Sequence, residues 1–192
     1  MAFLFNRWPT VSYDLKKNNK PIQLTNVTLR YKISEVIRNK SAVMYEYNVA
    51  NGIRPDAVAF NYYGDSTLEW LIILVNNYID PQFEWPMDDR SFETFIKKKY
   101  SSIENAMQTI RHYEIKLRES SVTYDGIFVP EKKLIVDLET YNAYDPTMRE
   151  AVDNYTYESR LNEQRKTIKI LDKRFARDII NTYERLIEQI NG

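Results

Sequence analysis

Cysteine is absent from the 192 residues of this chain, glycine occurs only four times and histidine once. Each shortage removes a class of chemistry. Without cysteine there is no disulfide, no thiolate nucleophile and no thiolate metal site. Four scattered glycines are too few for a phosphate-cradling loop, and no Gly-x-Ser-x-Gly elbow occurs. The single histidine, His112, falls on the polar side of an alternating stretch. Histidine metal sites pair such a residue with other close ligands, and a general base needs an oriented partner and a nucleophile. Neither is visible beside it. Long apolar runs are missing too. The longest, Leu71 to Val75, falls far short of the ~20 residues that span a bilayer. Nor is charge of one sign in excess, since 27 basic residues balance 27 acidic ones. A neutral chain exerts no general pull on nucleic acid.

The local charge clusters read as parts of helices and strands. Lys97-Lys98-Lys99 suits the solvated end of a helix, where cations complement the dipole, and Asp88-Asp89 suits its start. Asp137 and Glu139 are expected on one solvated face of a short strand, not as the acid and base of a glycosidase. Met1 to Trp8 lacks the basic start and long apolar region of a signal peptide. The sequons at Asn26, Asn39 and Asn154 are therefore expected to go unused, and the chain is expected to fold in a cytoplasm.

Aromatic residues are what the chain has in quantity, with 15 tyrosines and three tryptophans. Their apolar bodies and polar tips favour protein interfaces. Residues 1–40 carry Phe3, Phe5, Trp8, Val11 and Tyr13 among prolines and a polar stretch, with a short alternation at Ile22, Leu24 and Val27. This predicts an extended N-terminal arm that wraps the rest of the molecule or docks on another chain.

Residues 42–49 alternate, with Val43, Tyr45, Tyr47 and Val49 on one face, which predicts a half-buried strand. Asn51-Gly52 turns the chain. Pro55 is suited to the first position of a helix and Gly64 to the left-handed residue that ends one. Ser66 with Glu69 reads as a capping box for a second helix. That helix is apolar on nearly every side through residue 75, and so is expected to be buried. A further helix is expected over 89–99. Residues 111–118 alternate again, and a turn at Asp125-Gly126 joins two short strands. Residues 139–160 read as a long tyrosine-rich loop with a helical piece after Pro146. Thr167 to Leu171 is a strand that could pair with 43–49, and Asp172 is a plausible cap for a last helix. Its stripe is read as Phe175, Ile179, Tyr183, Leu186 and Ile190.

The pattern Tyr63-Gly64, Trp70, Asn76-Asn77, Asp80-Pro81 and Trp85-Pro86 resembles the small baseplate wedge subunit of T4-like contractile-tailed phages. The tail of the chain, Leu161-Asn162-Glu163 through Ile168-Lys169-Ile170-Leu171, is similar as well. The resemblance implies an α+β fold with a LysM-like strand-helix-helix-strand core. The expected divisions are an arm over 1–40, the core over 41–100, a β-rich insertion with a hairpin or meander over 101–160, and a returning strand with a long amphipathic helix over 161–192. It implies a non-enzymatic virion protein of the tail baseplate that joins wedge components and neighbouring wedges around the hub. Its partners would be other baseplate wedge proteins in a hetero-oligomeric assembly, with no nucleic acid, membrane, cofactor or metal. Partner contacts are expected at Phe5, Trp8, Pro9 and Tyr13 on the arm, and at Tyr183, Leu186 and Ile190 on the helix, where they could equally cover the core. The alternative is a LysM-like peptidoglycan-binding or lytic accessory module, since fold likeness does not carry function with it.

Overall fold

The computed structural model describes residues 8–17, 19–26 and 43–191, with side chains of the last helix as far as Gln189. Among them the order begins β1 (Thr10–Tyr13), β2 (Ile22–Thr25), β3 (Met44–Asn48), α1 (Pro55–Tyr63), a 3-10 turn (Ser66–Leu68), α2 (Glu69–Val75) and α3 (Pro81–Glu84). It continues with α4 (Asp89–Tyr100), α5 (Ile103–Gln108), β4 (Ile110–Arg118), β5 (Ser121–Val122), β6 (Phe128–Val129) and β7 (Lys132–Val136). Then come α6 (Leu138–Ala143), a second 3-10 turn (Pro146–Met148), β8 (Arg149–Asp153), α7 (Asn154–Lys166), β9 (Thr167–Leu171) and α8 (Lys173–Asn191). The chain is a mixed α+β protein. It divides into two compact units, one of residues 1–86 with 165–192 and one of residues 87–164.

In the first unit β3 and β9 pair antiparallel, from Met44 opposite Leu171 to Asn48 opposite Thr167. The pairing expected from sequence is thus present, and α1 and α2 stand between the two strands in chain order. Pro55 begins α1, and Gly64 ends it at φ +81°, its N–H bonded to the Phe60 carbonyl at 2.8 Å. The capping box differs from expectation. Asp65, not Ser66, caps the turn before α2, accepting the Thr67 N–H at 2.8 Å and the Thr67 hydroxyl at 2.7 Å. A carboxylate at this point is the stronger acceptor, and a 3-10 turn intervenes before the helix proper.

α2 is apolar all round because it serves two clusters. Leu71 packs with Trp8, Met44, Trp70 and Leu171, whereas its neighbour Ile72 packs with Val58, Trp85, Ile168 and Ile170. Both are wholly buried. The residues that carry the family resemblance act as fasteners here. Trp85 Nε1 donates to the Ile53 carbonyl at 2.9 Å, and the Tyr63 hydroxyl donates to the Leu171 carbonyl at 3.0 Å. Asn76 bridges the end of α2 to Lys169 of β9, donating to its carbonyl and accepting from its N–H, each at 2.8 Å. Asp172 caps α8 as expected, with the Arg174 N–H on its carboxylate at 2.8 Å. The buried line of α8 is Ala176, Ile179, Tyr183 and Ile187, rotated from the predicted stripe. Small Ala176 lies against the core, and Phe175 falls to the edge at 37 % exposed, under the Arg174 guanidinium.

The second unit is built on a three-stranded antiparallel sheet in the order β7-β4-β8. α4 is capped by Asp88, which accepts the Ser91 N–H at 3.0 Å, and Phe92 and Ile96 form its buried line. Residues 139–160, expected as a long loop, contain α6, β8 and most of α7. Asp137 and Glu139, expected on a strand, instead cap α6 and occupy its first turn, Asp137 accepting the Thr140 N–H at 2.7 Å. α7 was hidden because the residues it buries every fourth position are polar: Asn154, Glu158 and Asn162. The side chains of Glu158 and Asn162 have partners that offset their desolvation. The Glu158 carboxylate accepts from Lys99 Nζ at 2.7 Å and the Tyr100 hydroxyl at 2.8 Å. The Asn162 amide exchanges two hydrogen bonds with the Met87 backbone.

Candidate docking surfaces

The densest set of titratable groups lies on one face of the second unit's sheet. Glu114 of β4 stands directly opposite Glu150 of β8, a like-charge pairing that is unfavourable alone. Arg160 of α7 bridges them, with Nη1 at 3.1 Å from Glu114 and Nη2 bonded to Glu150. Lys133 of β7 adds contacts at 2.9 Å to Glu150 and 3.6 Å to Glu114. Burial opposes the charged form of both Lys133 and Glu150. Their mutual hydrogen bond and the surrounding charges outweigh it, so the lysine pKa is raised and the glutamate pKa lowered. His112 Nε2 lies 2.9 Å from Glu114 Oε1, with its ring edge-on to Tyr157. Glu114 and Glu150 share Arg160 and Lys133 between them, and Glu131 adds a contact to Lys133 at 3.5 Å. This is an ion network that ties α7 to the sheet. Among the described residues no group of three or more His, Asp or Glu could hold a metal ion. None of the described helices is long and apolar enough to cross a membrane.

Two exposed apolar surfaces have a different character. β1 and β2 form an antiparallel hairpin in which Val11 opposes Leu24 and Tyr13 opposes Ile22. Directly opposed residues share a face, so these four side chains make one apolar patch, with Thr10, Ser12, Gln23 and Thr25 on the reverse. All eight strand residues are exposed, Tyr13 at 55 %, and Leu15 beyond the strand at 65 %. An isolated two-stranded ribbon is marginal in water. This one is held at its base, where the Asn26 N–H donates to the Pro9 carbonyl at 2.8 Å and Trp8 Nε1 donates to the Asn26 carbonyl. Trp8 is itself core, 8 % exposed, with its ring 6.0 Å from that of Tyr183. The second surface, in the other unit, is the β5–β6 hairpin. Val122, Tyr124, Ile127 and Phe128 are all more than half exposed there, Tyr124 fully so, around a turn closed by the Gly126 N–H on the Thr123 carbonyl.

The residues expected to contact partners therefore fall into separate groups. Tyr13 lies on the exposed hairpin face. Leu186 is 39 % exposed on α8. Trp8, Pro9 and Tyr183 are buried within their own unit, where the two rings pack together with Trp70. Phe5 and the Ile190 side chain lie outside the described residues. The sequence reading did not single out Leu24, Ile22 and Val11 as contacts, although their alternation with polar residues was the available signal. Nor did it single out the tip residues Tyr124 and Phe128, which flank the recognised Asp125-Gly126 turn.

Comparison with known proteins gives two concordant results. A family model described as base plate wedge protein 53 matches residues 1–187. The chain is also similar to the baseplate wedge protein gp53 of Enterobacteria phage T4, at 22 % identity over 198 residues, covering 98 % of each chain.

Proposed function

From the premise that this chain belongs to the base plate wedge protein 53 family, we propose that it works by docking rather than by chemistry, joining wedge components and neighbouring wedges around the tail hub. Its role is that of a structural subunit of a bacteriophage baseplate wedge. The observation that carries the docking mechanism is the β1–β2 hairpin. Four apolar side chains share one solvent-facing side of a ribbon too small to be stable alone, fixed to the core through Trp8. A ribbon of this kind gains stability when a neighbour covers it. Other baseplate proteins are the partners, and Tyr13 with Leu186 are the predicted contacts that the fold leaves open to them. The ion network and the polar buried stripe of α7 support a rigid structural role for the second unit.

The test is association in solution. Purified chain mixed with wedge proteins of the same phage should co-elute in size-exclusion chromatography with light scattering. The double variant Tyr13→Asp, Leu24→Ser changes only exposed positions, so its thermal midpoint should match the parent while co-elution is lost. Undiminished co-elution of that variant would remove the hairpin face from the mechanism.

A further inference from the structure

The β3–β9 sheet of the first unit has one edge closed by side chains and, among the described residues, one edge left open. The orientation of its backbone groups follows from the ladder. In an antiparallel pair, opposed residues either exchange both hydrogen bonds or turn both groups outward. Lys169 turns outward, because its N–H and carbonyl are both taken by the Asn76 amide at 2.8 Å. Its opposite residue, Glu46, therefore turns its own N–H and carbonyl outward on the far side of the sheet. The ends agree with this phase. Val49 donates to the Lys166 carbonyl and the Val43 carbonyl accepts from Asp172 N–H, so 43, 45, 47 and 49 face β9 while 46 and 48 face away. On the β9 side, the Asn76 amide and the Tyr63 hydroxyl on the Leu171 carbonyl leave no room for another strand. On the β3 side no described residue meets the outward backbone groups of Glu46 and Asn48, and both residues are exposed.

Resting on the assembly reading above, we infer that the outer edge of β3 accepts an extended segment of a partner protein as a third strand, with a basic side chain of that segment set against Glu46. Strand addition supplies affinity through main-chain hydrogen bonds and selectivity through the side chains that flank them. Glu46 is the only charge on β3, and its edge position makes it the natural selector. It also disfavours a second copy of this chain as the occupant. Full-length antiparallel pairing of β3 with itself centres on residue 46 and sets the two carboxylates opposite one another, which is unfavourable. Tyr45, 45 % exposed with its hydroxyl on Asp172 at 2.8 Å, offers the incoming strand an apolar ring on the opposite face of the sheet from that charge.

The test is residue-resolved hydrogen exchange on the full chain, free and in complex with whichever wedge protein co-elutes with it. In the free chain the Tyr45 and Tyr47 amides should be protected and those of Glu46 and Asn48 should exchange freely. In the complex the latter two should slow by about tenfold or more. Glu46→Pro removes an N–H that β9 does not use, so the β3–β9 ladder survives, and partner affinity should fall at least about tenfold. Glu46→Lys should weaken binding by about threefold or more through charge reversal alone. A complex in which Glu46 and Asn48 exchange as in the free chain would overturn the inference while leaving the assembly reading intact. So would a Glu46→Pro variant that binds normally, or a free chain that dimerises through this edge. Failure of the parent chain to bind any wedge protein would overturn the assembly reading, and this inference with it.

Discussion

Replacing Trp8 with alanine should detach the N-terminal hairpin from the first unit and destabilise that unit. Trp8 is 8 % exposed, packs near Tyr183 at a ring distance of 6.0 Å and holds the Asn26 carbonyl through its indole N–H. A tryptophan buries ~200 Å², which at about 25 cal/mol per Å² corresponds to roughly 5 kcal/mol. The methyl of alanine recovers little of this, and the cavity term adds to the loss, so about 3–5 kcal/mol is expected. Trp8→Phe keeps most of the apolar body and loses the hydrogen bond, for an expected cost of about 1–2 kcal/mol. All three tryptophans, Trp8, Trp70 and Trp85, belong to the first unit. Urea unfolding followed by tryptophan fluorescence therefore reads that unit selectively, with circular dichroism as the common reference for the variant that lacks one fluorophore. A loss below about 1 kcal/mol for Trp8→Ala would refute the anchoring argument, because surface residues behave that way and buried aromatics do not.

Two further outcomes follow from the electrostatics. The Arg174 side chain and N–H, with the Tyr45 hydroxyl, hold the Asp172 carboxylate well below its ordinary pKa. Its contribution is thus complete above the ordinary carboxylate value of about 4 and is lost as pH falls further toward the folded value. Fluorescence-monitored stability of the first unit should drop on acidification below about pH 4, and Asp172→Asn should flatten that acid limb. In the second unit, Arg160→Ala leaves the opposed Glu114 and Glu150 with Lys133 as the one cation of the network that contacts both. The expected cost is about 2 kcal/mol, read as faster hydrogen exchange across β4, and Glu150→Gln should recover part of it.

Legibility in the sequence followed the kind of residue that each element buries. β3 and β9 were readable because Val43 to Val49 and Thr167 to Leu171 alternate, and the structure pairs them in one register. α1 was readable from Pro55 and Gly64, which act through the backbone and need no tertiary partner. α7 was not, because Asn154, Glu158 and Asn162 face inward and periodicity analysis looks for apolar residues. The burial of Glu158 and Asn162 depends on Lys99, Tyr100 and Met87, which lie over 50 residues away in sequence. The stripe of α8 was misphased for a related reason: Ala176 counts little on a hydrophobicity scale, yet its small size is what lets the helix approach the core. Among the predicted contacts, Trp8 and Tyr183 show the ambiguity of aromatic residues. Composition alone cannot separate a ring that fills a core from one that awaits a partner.

A structural part of the baseplate wedge travels with the mature virion. Quantitative mass spectrometry of purified particles of the phage that encodes this protein should therefore find the chain in a fixed molar ratio to the other wedge proteins. Particles with complete baseplates that lack the chain would rule out that structural role.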